Sequence, residues 1–592
     1  MKKLLLGLLS LTMIFALGGC AQQKNEETAV KSDNEQYDIV IIGAGGAGLS
    51  AAVEAAENGA KNVLVLEKMG FAGGSTTMAF GGFNCTNSRF MDEQGKDPQT
   101  PIVLTDNIMR NGKGFNDVRM AAMVAAETPA VIEWLDGFGS EWGKIRYSNL
   151  HCPTDGTIPG VELVKVLREQ TEKQGIEIRY DSPAVKITAD ETGRINGVVV
   201  KDSNGEYTID ASAVILATGG YENNPEMIDE YGNPSLKNLH LAPSKGNMGD
   251  GIKMALEHNA DLVNMDLIQL SCAVAPFSIQ MQMPIKNNGV VFVNKEGKRF
   301  TNEFSAASSD RRITDDILAQ TDAECYCIYN ETIYQEFQAV ENKDFFDEYR
   351  MTGIDNSGLV IKCDTLEELA DKMSIDQAAL LDTISNLKTD NIGNEVVVEK
   401  ADTYAEGPYY AVLLTPGVMD TLGGLVADTS ARILDTEGKV IKGLYGAGEV
   451  LGNTQGAYYS VGLGEAAVFG RIAARNAIEY ITDRGGLTDH VEVVRESNDQ
   501  VEVSDATYTD GEYEGVGKGN NGDIKVSVKV ENGKITEITV LEHSETDNIY
   551  AGAESKFIPA LIKSQNLEID AVAGATNSSN GIREAVKAAL GK

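Results

Sequence analysis

A strand, glycine turn, helix and strand between residues 37 and 67 constrain the fold of this chain more than any other feature. The apolar run Ile39–Ile42 predicts a buried parallel strand, and it leads at once into the turn GAGGAG. In that turn Gly43 permits a tight bend, Gly45 lets the backbone approach a pyrophosphate, and Gly48 lets helix and strand pack closely. The alternative is an ordinary βαβ turn, but the acid at the end of the second strand favours a dinucleotide site.

That acid is Glu67, which follows Gly43 by 24 residues and is placed to accept a hydrogen bond from a ribose hydroxyl. The phosphates are expected at the helix N-terminus, where free N–H groups and the helix dipole favour anions. Small and hydroxyl residues at 73–77, followed by Gly81-Gly82, suit a loop that lies against phosphate and an isoalloxazine ring. A flexible surface loop is the alternative.

Two later strand ends repeat the glycine signature. Val214–Leu216 leads into ATGG at 217–220, and GAGE occupies 446–449, more than 200 residues further on. A helical pattern follows at 464–480, which offers a second helix N-terminus to an anion. Strand ends so far apart indicate one nucleotide-binding fold interrupted by an inserted domain.

Charge and cysteine usage narrow the possible partners. The 592-residue chain has a net charge of −37, and a nucleic-acid surface needs a basic face, so no nucleic acid is expected. Six cysteines follow Cys20, and none stands in a C-x-x-C or other paired metal-binding spacing. No metal, haem or iron–sulfur site is therefore predicted.

The first twenty residues are typical of an export signal, with two lysines, an apolar run at 4–17 and a processing site at Leu17–Cys20. The apolar run is short for a membrane-spanning helix. It resembles a bacterial lipoprotein signal in which Cys20 is lipidated; an ordinary cleaved signal with a chance cysteine is the alternative. We expect a protein at the cell membrane, lipid-anchored through Cys20 on the extracytoplasmic side, with residues 21–36 as a flexible tether.

Over 37–483 the chain resembles the flavoprotein part of the flavocytochrome c fumarate reductase family, which includes urocanate reductases. The matching motifs, in the family's order, are GAGGAGLSAA, ATGGY, NNGVVFVNKEGKRFTNE, TPGVMDTLGG and GLYGAGEV…FGR. The resemblance implies non-covalent FAD and hydride transfer from its N5 to an activated C=C bond. The FAD contacts predicted on this basis are Gly43, Ala44, Gly45, Gly46, Ala47, Gly48, Glu67, Lys68, Gly74, Ser75, Thr76, Gly81, Val185, Ala217, Thr218, Gly219, Gly220, Asp250, Gly448, Glu449, Leu463 and Gly464.

The chain departs from that family where dicarboxylates are held. The dicarboxylate reducers show a histidine pair after TPGV, where this chain has Met419-Asp420. They show a Q-x-H-P-T run where this chain has Gln269–Cys272, and an arginine in G-A-N-R-L-G-G where it has Gly456–Gly462. Because carboxylate recognition usually needs a bidentate arginine, fumarate is not the expected substrate.

The resemblance also supplies two candidates for the acid that protonates the substrate. The family's proton-donating arginine follows RF-x-NE, and this chain has Asp310-Arg311-Arg312 slightly beyond that place. Tyr459 stands in the loop that replaces the family's substrate-binding arginine, and the tyrosines there are reminiscent of 3-ketosteroid dehydrogenases. We predict Arg311 for protonation, with Asp310 as its relay, and Tyr459 for substrate binding. The alternatives are solvated arginines and a tyrosine that only packs against the flavin.

The C-terminal segment carries a second flavin signature. The run DAVAGAT at 570–576 resembles the D-x-x-[ST]-G-A-T motif of the FMN-binding domain of respiratory flavoproteins, although Ala573 replaces the hydroxyl residue. The resemblance implies FMN esterified to Thr576 by a flavin-attaching enzyme, with the phosphate at the N-terminus of the helix expected at 580–590. A plain helix cap by Ser578 or Ser579 is the alternative.

We interpret the chain as α/β: a Rossmann-like two-dinucleotide-fold flavoprotein interrupted by an α+β capping domain, with a small C-terminal α+β FMN-binding domain. The predicted boundaries are 1–20 (signal), 21–36 (tether), 37–265 and 408–484 (FAD-binding domain), 266–407 (cap), 485–507 (linker) and 508–592 (FMN-binding domain). A membrane electron donor, quinol-linked or flavin-linked, would pass electrons to FMN, which would pass them to FAD. The FAD would then reduce a small unsaturated organic substrate, an enoate or enone, in anaerobic respiration. The alternatives are a 3-ketosteroid-type dehydrogenase acting on a ketone-bearing ring, and an electron carrier without small-molecule turnover.

Overall fold

The computed structural model describes residues 35–592 except 147, 233–235, 237–238, 242–243, 275–278, 281–288, 304–309, 340–358, 391, 393–394, 459–460, 490–503, 505–506, 521, 546–549, 551–552 and 570–575. Within these ranges, no helix combines the length and the apolar character needed to cross a membrane. The predicted signal and tether, with Cys20, lie outside the described residues.

The strands are β1 Glu35–Ile42, β2 Val63–Leu66, β3 Phe83–Asn84, β4 Lys144–Arg146, β5 Leu150–Cys152, β6 Glu177–Arg179, β7 Ala184–Ala189, β8 Ile195–Asp202, β9 Gly205–Leu216, β10 His240–Leu241, β11 Leu262–Val263, β12 Ile268–Val274, β13 Ile279–Gln280, β14 Val291–Val293, β15 Cys325–Asn330, β16 Ile361–Cys363, β17 Tyr409–Thr421, β18 Gly424–Leu425, β19 Arg432–Leu434, β20 Val440–Gly446, β21 Gly511–Lys518, β22 Asp523–Glu531 and β23 Lys534–Glu542.

The helices are α1 Gly46–Glu57, α2 Arg89–Glu93, α3 Pro101–Gly112, α4 Val118–Gly137, α5 Pro159–Lys173, α6 Pro225–Tyr231, α7 Asp250–Leu256, α8 Asp310–Leu318, α9 Glu331–Gln338, α10 Leu366–Met373, α11 Gln377–Ser385, α12 Glu395–Lys400, α13 Gly462–Thr482, α14 Ile558–Ser564 and α15 Thr576–Ala589. Short 3₁₀ turns include Gly74–Met78 and Gly448–Val450.

The largest sheet is the predicted nucleotide-binding sheet. Its strand order is β19-β20-β9-β1-β2-β6, with β8 also paired to β9 and β7 paired to β8. β1 runs parallel to β2 and β9, and β9 runs parallel to β20, so the three glycine-rich turns meet at one sheet edge. The residues of β1 from Ile39 to Ile42 are buried, as expected for a parallel strand covered on both faces. This arrangement confirms the predicted α/β fold and its interruption by an insertion.

A second sheet has its own apolar core. Its order is β13-β12-β17-β15-β14, with β10 and β16 also paired to β17. Val291–Val293 pairs with β15, and one bridge joins Val293 to Arg299. The long strand β17 begins just after the predicted boundary at residue 407. Its last residues, Asp420 and Thr421, return to the glycine-rich turns.

The C-terminal residues form a third core around the antiparallel sheet β21-β22-β23. The turn at Asn532-Gly533 has φ values of 55° and 74°, the positive values that a two-residue Asn-Gly hairpin turn requires. Helix α15 packs on β21, where a Cβ at Gly515 or Gly517 would lie 2.1 Å from the backbone oxygen of Ala585 or Gly581. Alternating Ile524, Val526, Val528 and Val530 fill this core.

Candidate active site

The glycine turn after β1 has the geometry that the sequence predicts. Gly43 has a φ of 108°, and a Cβ there would lie 2.3 Å from the backbone oxygen of Ala217. A Cβ on Gly48 would lie 1.8 Å from the Gly43 oxygen. Helix α1 starts at Gly46 with no cap from its N-cap residue Gly45 and no acidic residue in its first turn. Thr76 Oγ1 accepts the Gly46 N–H, and the amides that follow it in the first turn are placed to bind a phosphate.

Glu67 ties this turn to the end of β2. Its two carboxylate oxygens each accept a backbone N–H, one from Ala44 and one from Met69, both at 2.8 Å. The side chain is buried, and burial raises its pKa. Since each oxygen has a second lone pair, the predicted hydrogen bond from a ribose hydroxyl is compatible with these contacts. The neighbouring Ser182 N–H donates to the Glu67 backbone oxygen at 2.9 Å, which brings the start of β7 alongside.

The loop 73–77 lies against the start of α1. The Gly73 N–H donates to the Ala44 oxygen at 2.9 Å, and the Gly46 N–H donates to Thr76 Oγ1 at 3.0 Å. The predicted contacts Gly74, Ser75 and Thr76 are therefore placed beside the helix N-terminus by direct hydrogen bonds. The alternative of a free surface loop does not describe this segment.

The second predicted strand end, 217–220, borders the first. A Cβ on Gly251 would lie 2.2 Å from Thr218 Oγ1, and that buried hydroxyl has no hydrogen-bond partner among the described residues. Next to it, Lys68 Nζ pairs with Asp250 Oδ2 at 2.6 Å. An orphaned hydroxyl beside an uncapped helix N-terminus and a glycine cradle fits the polar parts of FAD.

The third strand end approaches the same helix from the other side. A Cβ on Gly470 of α13 would lie 2.3 Å from the Ala47 oxygen, and a Cβ on Gly448 would lie 3.0 Å from Ala47 Cβ. Leu463 and Gly464 stand in the first turn of α13, which also lacks a side-chain cap. The start of α1 thus packs against the interior of α13 at Gly470 and against the third strand end at Gly448.

A network of buried acids and amides joins these strand ends, and the sequence reasoning missed most of it. Asn247 Nδ2 donates to Ser75 Oγ at 3.0 Å, to Glu449 Oε2 at 3.3 Å and to Glu222 Oε1. The Thr421 N–H donates to Glu449 Oε1 at 3.1 Å. Only Ser75 and Glu449 were predicted. Glu222 follows ATGG by two residues and Asn247 lies in the turn GNMGDG, and these positions are the signals that could have found them.

These acids hold protons more tightly than exposed carboxylates do. Burial, followed by the charge of Asp420, raises the pKa of Glu222 to about 8. Burial and the charge of Glu222 raise the pKa of Glu449 well above its usual range. Burial also raises the pKa of Asp420 well above its usual range, and that of Glu465 to about 7. The site therefore offers neutral carboxylic acids near neutral pH.

Glu465 on α13 yields a pH-dependent prediction. Its pKa is about 7 in the folded protein and 4.5 when exposed, so its contribution to stability is complete below pH 4.5 and is lost as the pH rises through 7. The free energy of unfolding that is lost across this pH range is about 3 kcal/mol. Glu465→Gln keeps an acceptor for Gln455 Nε2 but does not ionise. Denaturant unfolding should show that the free energy of unfolding of Glu465→Gln increases relative to that of the wild type as the pH rises through this window. The variant Glu437→Gln, which changes an exposed carboxylate, should show no such relative increase. Parallel stability curves for Glu465→Gln and the wild type would contradict this prediction.

The other predicted residues lie in several places. Gly81 lies in the loop before β3, and Val185 lies on β7 with 42% of its surface exposed. Arg311 lies on α8, which packs against β12 and β17, but its side chain is outside the described part. Tyr459 is itself outside the described residues.

A cavity of about 400 Å³ lies beside Val461, the residue before α13. Val461 lines it, together with amide side chains that include Asn84, Asn107 and Asn149. Asn84 follows the predicted flavin loop by two residues, and Val461 follows Tyr459 by two, so the cavity is lined by residues that neighbour both predicted segments in the sequence.

Thr576 is the first residue of α15, four residues earlier than the helix start that the sequence predicted. Its side chain and residues 570–575 are outside the described part. The helix has no acidic residue in its first turn, which fits a phosphate at that end.

Two protein families match separate parts of the chain, and known proteins and structures match the larger part. The FAD binding domain family matches residues 38–464, and the FMN-binding domain family matches residues 519–591. The fumarate reductase (cytochrome) of Shewanella frigidimarina is 30% identical over 478 residues, which cover 78% of this chain and 80% of that protein. The urocanate reductase of Eggerthella lenta is 30% identical over 486 residues, covering 77% and 78%. The open conformation of a flavocytochrome c3 fumarate reductase matches with a TM-score of 0.68 at 29% identity, covering 78% of this chain and 82% of that one.

Proposed function

The chain belongs to the FAD binding domain family, together with flavocytochrome-type fumarate reductases and urocanate reductases, and on that premise we propose that it is a membrane-tethered, extracytoplasmic reductase of activated C=C bonds. It is an FAD-dependent oxidoreductase acting on CH–CH groups, and it also carries an FMN-binding domain. One observation carries the proposal: a fold whose relatives reduce C=C bonds is joined in one chain to a second flavin domain. The substrate that we propose is an enoate or enone used in anaerobic respiration, and not fumarate.

The bound flavins would supply the redox chemistry, with electrons from FMN reaching FAD and a hydride passing from FAD to the β-carbon of the alkene. The protein's part is to bind and orient. The N-termini of α1 and α13 would hold anionic and carbonyl oxygens, and the loop 73–77 lies against the start of α1. The negative charge that develops at the neighbouring substrate carbon needs a positioned acid and hydrogen-bond donors.

Arg311 is the acid that we propose, with Asp310 as relay and Tyr459 as the group that binds the substrate. The position of α8 against β12 and β17 supports it, since β17 ends in the acid–amide network. Arg311→Ala should lower turnover by about 10²-fold or more while both flavins stay bound, because a positioned acid has effects of that size. The matched control is Arg119→Ala, which removes an exposed arginine that pairs with Asp117.

Steady-state kinetics of both variants measure this effect, and Tyr459→Phe should mainly raise KM. Normal turnover in Arg311→Ala together with an inactive Tyr459→Phe would reverse the two roles.

We propose further that Cys20 carries the lipid anchor, that a quinol-linked or flavin-linked membrane protein is the electron donor, and that a flavin-attaching enzyme esterifies FMN to Thr576. The sequence pattern of residues 1–20 supports the anchor. Membrane fractionation of the wild type and Cys20→Ser tests it. An equal distribution of the two proteins would rule the anchor out.

The experiment that tests the proposed activity is oxidation of reduced viologen with a panel of enoates and enones. A reductase oxidises the reduced viologen when some members of the panel are added, whereas an electron carrier oxidises it with none of them. If the protein oxidises saturated ketones with an artificial electron acceptor, and no alkene causes oxidation of reduced viologen, a dehydrogenase is favoured instead.

A further inference from the structure

Lys113, the residue that caps the end of α3, reaches the loop that precedes α13. Its Nζ donates to the Tyr458 hydroxyl at 2.9 Å and lies 4.4 Å from the centre of the Tyr458 ring. Tyr458 precedes Tyr459, the residue that we propose to bind the substrate. The segment 456–462 contains no lysine or arginine of its own, so Lys113 brings a positive charge to it from another element.

Backbone contacts hold the end of α3 and this loop against each other. The Ala457 N–H donates to the Gly112 oxygen at 3.1 Å. A Cβ on Gly456 would lie only 2.6 Å from Gly112 Cα, so the two backbones approach as closely as glycine permits. The contact between Lys113 and Tyr458 is therefore supported by the packing of the two backbones, and it does not depend on the two side chains alone.

No described residue neutralises the charge of the Lys113 ammonium. The side chain is exposed, and no carboxylate in the described ranges lies within ion-pair distance of it. Arg110 on the same helix differs, because its guanidinium pairs with Asp106 at 3.0 Å. An ammonium has three N–H donors, and since Tyr458 accepts one of them, two remain for a ligand. In a chain with a net charge of −37, this lysine is consequently a local place for an anion.

The cavity of about 400 Å³ lies between the same two segments. Amide side chains of α3, among them Asn111, line it on one side, and Val461 lines it on the other. Asn111 precedes Lys113 by two residues, and Val461 follows Tyr458 by three. Amides donate and accept hydrogen bonds without a net charge, so they suit the uncharged part of a ligand whose anionic end is held by the lysine.

We propose that Lys113 binds the carboxylate of the substrate, with the Tyr458 hydroxyl as a second donor, and that the substrate is therefore an enoate. The proposal rests on the proposed alkene reduction and narrows its substrate class. A charge-assisted hydrogen bond between an ammonium and a carboxylate is about twice as strong as one between neutral groups. The carbonyl of an enone, which is neutral, gains only a bond with one charged partner. Because a lysine is a point charge and not a bidentate fork, one such residue suits a monoacid.

The test compares three acids with their own amides: acrylate with acrylamide, crotonate with crotonamide, and cinnamate with cinnamamide. Each compound is titrated into the oxidised holoprotein at neutral pH and low, constant ionic strength, and the visible flavin spectrum reports binding without turnover. At least one acid should bind to the wild type about fivefold more tightly than its amide or better, the scale of a charge-assisted hydrogen bond. Lys113→Met should abolish that preference and leave the affinity for the amide unchanged, whereas Lys113→Arg should retain the preference.

Lys61→Met is the matched control, because Lys61 is an exposed lysine that pairs with Asp489, and this variant should bind as the wild type does. A wild type that binds no acid more tightly than its amide would overturn the proposal, as would a Lys113→Met protein that keeps the preference. Equal weakening of acid and amide by Lys113→Met would also overturn it, since the lysine would then only hold the loop in place. Failure of alkene reduction is seen only in the viologen assay, so it is distinguishable from failure of this binding preference.

Discussion

Gly48→Ala is expected to leave the purified protein without FAD. The added Cβ would lie 1.8 Å from the Gly43 oxygen and 3.3 Å from Ala217 Cβ. The nearest atom is backbone in the tight turn itself, so it cannot swing away as the end of a flexible side chain can. Either α1 moves away from β1 or the turn opens, and both displace the N–H groups that are expected to hold the pyrophosphate.

The measurement is the flavin-to-protein absorbance ratio after purification. Gly137→Ala is the matched control, because Gly137 ends a helix and a Cβ there meets no atom within 4 Å. The control should keep its flavin and be as stable as the wild type or slightly more stable. A Gly48→Ala protein with a full complement of FAD would show that the turn does not hold the cofactor.

Thr576→Ala is expected to abolish covalent FMN, because the change removes the hydroxyl oxygen that we propose forms the ester. The wild type, made in a host that carries the attaching enzyme, should release FAD on acid denaturation and filtration but keep one FMN on its C-terminal peptide. Helix α15 begins at this residue, so the phosphate would lie against free helical N–H groups.

Ser578→Ala is the control for this second prediction. Ser578 lies in the same first turn, but its hydroxyl donates to Glu545, so we expect it to play no part in attachment. Mass spectrometry of the C-terminal peptide distinguishes the variants. Flavin found on Ser578 or on any residue other than Thr576 would refute the assignment.

Sequence patterns predict the parts of this structure that depend on local chemistry. The bend at Gly43, the uncapped start of α1 and the Asn532-Gly533 turn each follow from backbone freedom within a few residues. The start of α15 was placed four residues late, since its first turn of small polar residues carries no apolar periodicity. The predicted site residues stay predictions, and the side chains of Arg311, Tyr459 and Thr576 are outside the described part.

Contacts between distant segments could not be predicted in this way. Asn247 reaches Glu449 across 202 residues of sequence, and Gln269 faces Asp420 only because of the register between β12 and β17. That register includes a bulge between Gln269 and Leu270, which no local pattern specifies. The buried acid–amide network consequently depends on the tertiary structure. It adds to the predicted site a group of buried carboxyl groups with raised pKa values, which the sequence did not predict.

The central claim is that two flavins in one chain deliver electrons to an alkene, and anaerobic reoxidation of the reduced holoprotein tests it most directly. The protein is reduced with dithionite, freed of excess reductant and mixed with each alkene while the visible flavin absorption is followed. The account predicts that one alkene class restores the absorption of both flavins and yields one saturated product for each flavin, whereas Thr576→Ala yields half as much. Flavins that stay reduced with every alkene, in a protein whose oxidised form is bleached by saturated ketones, would contradict it.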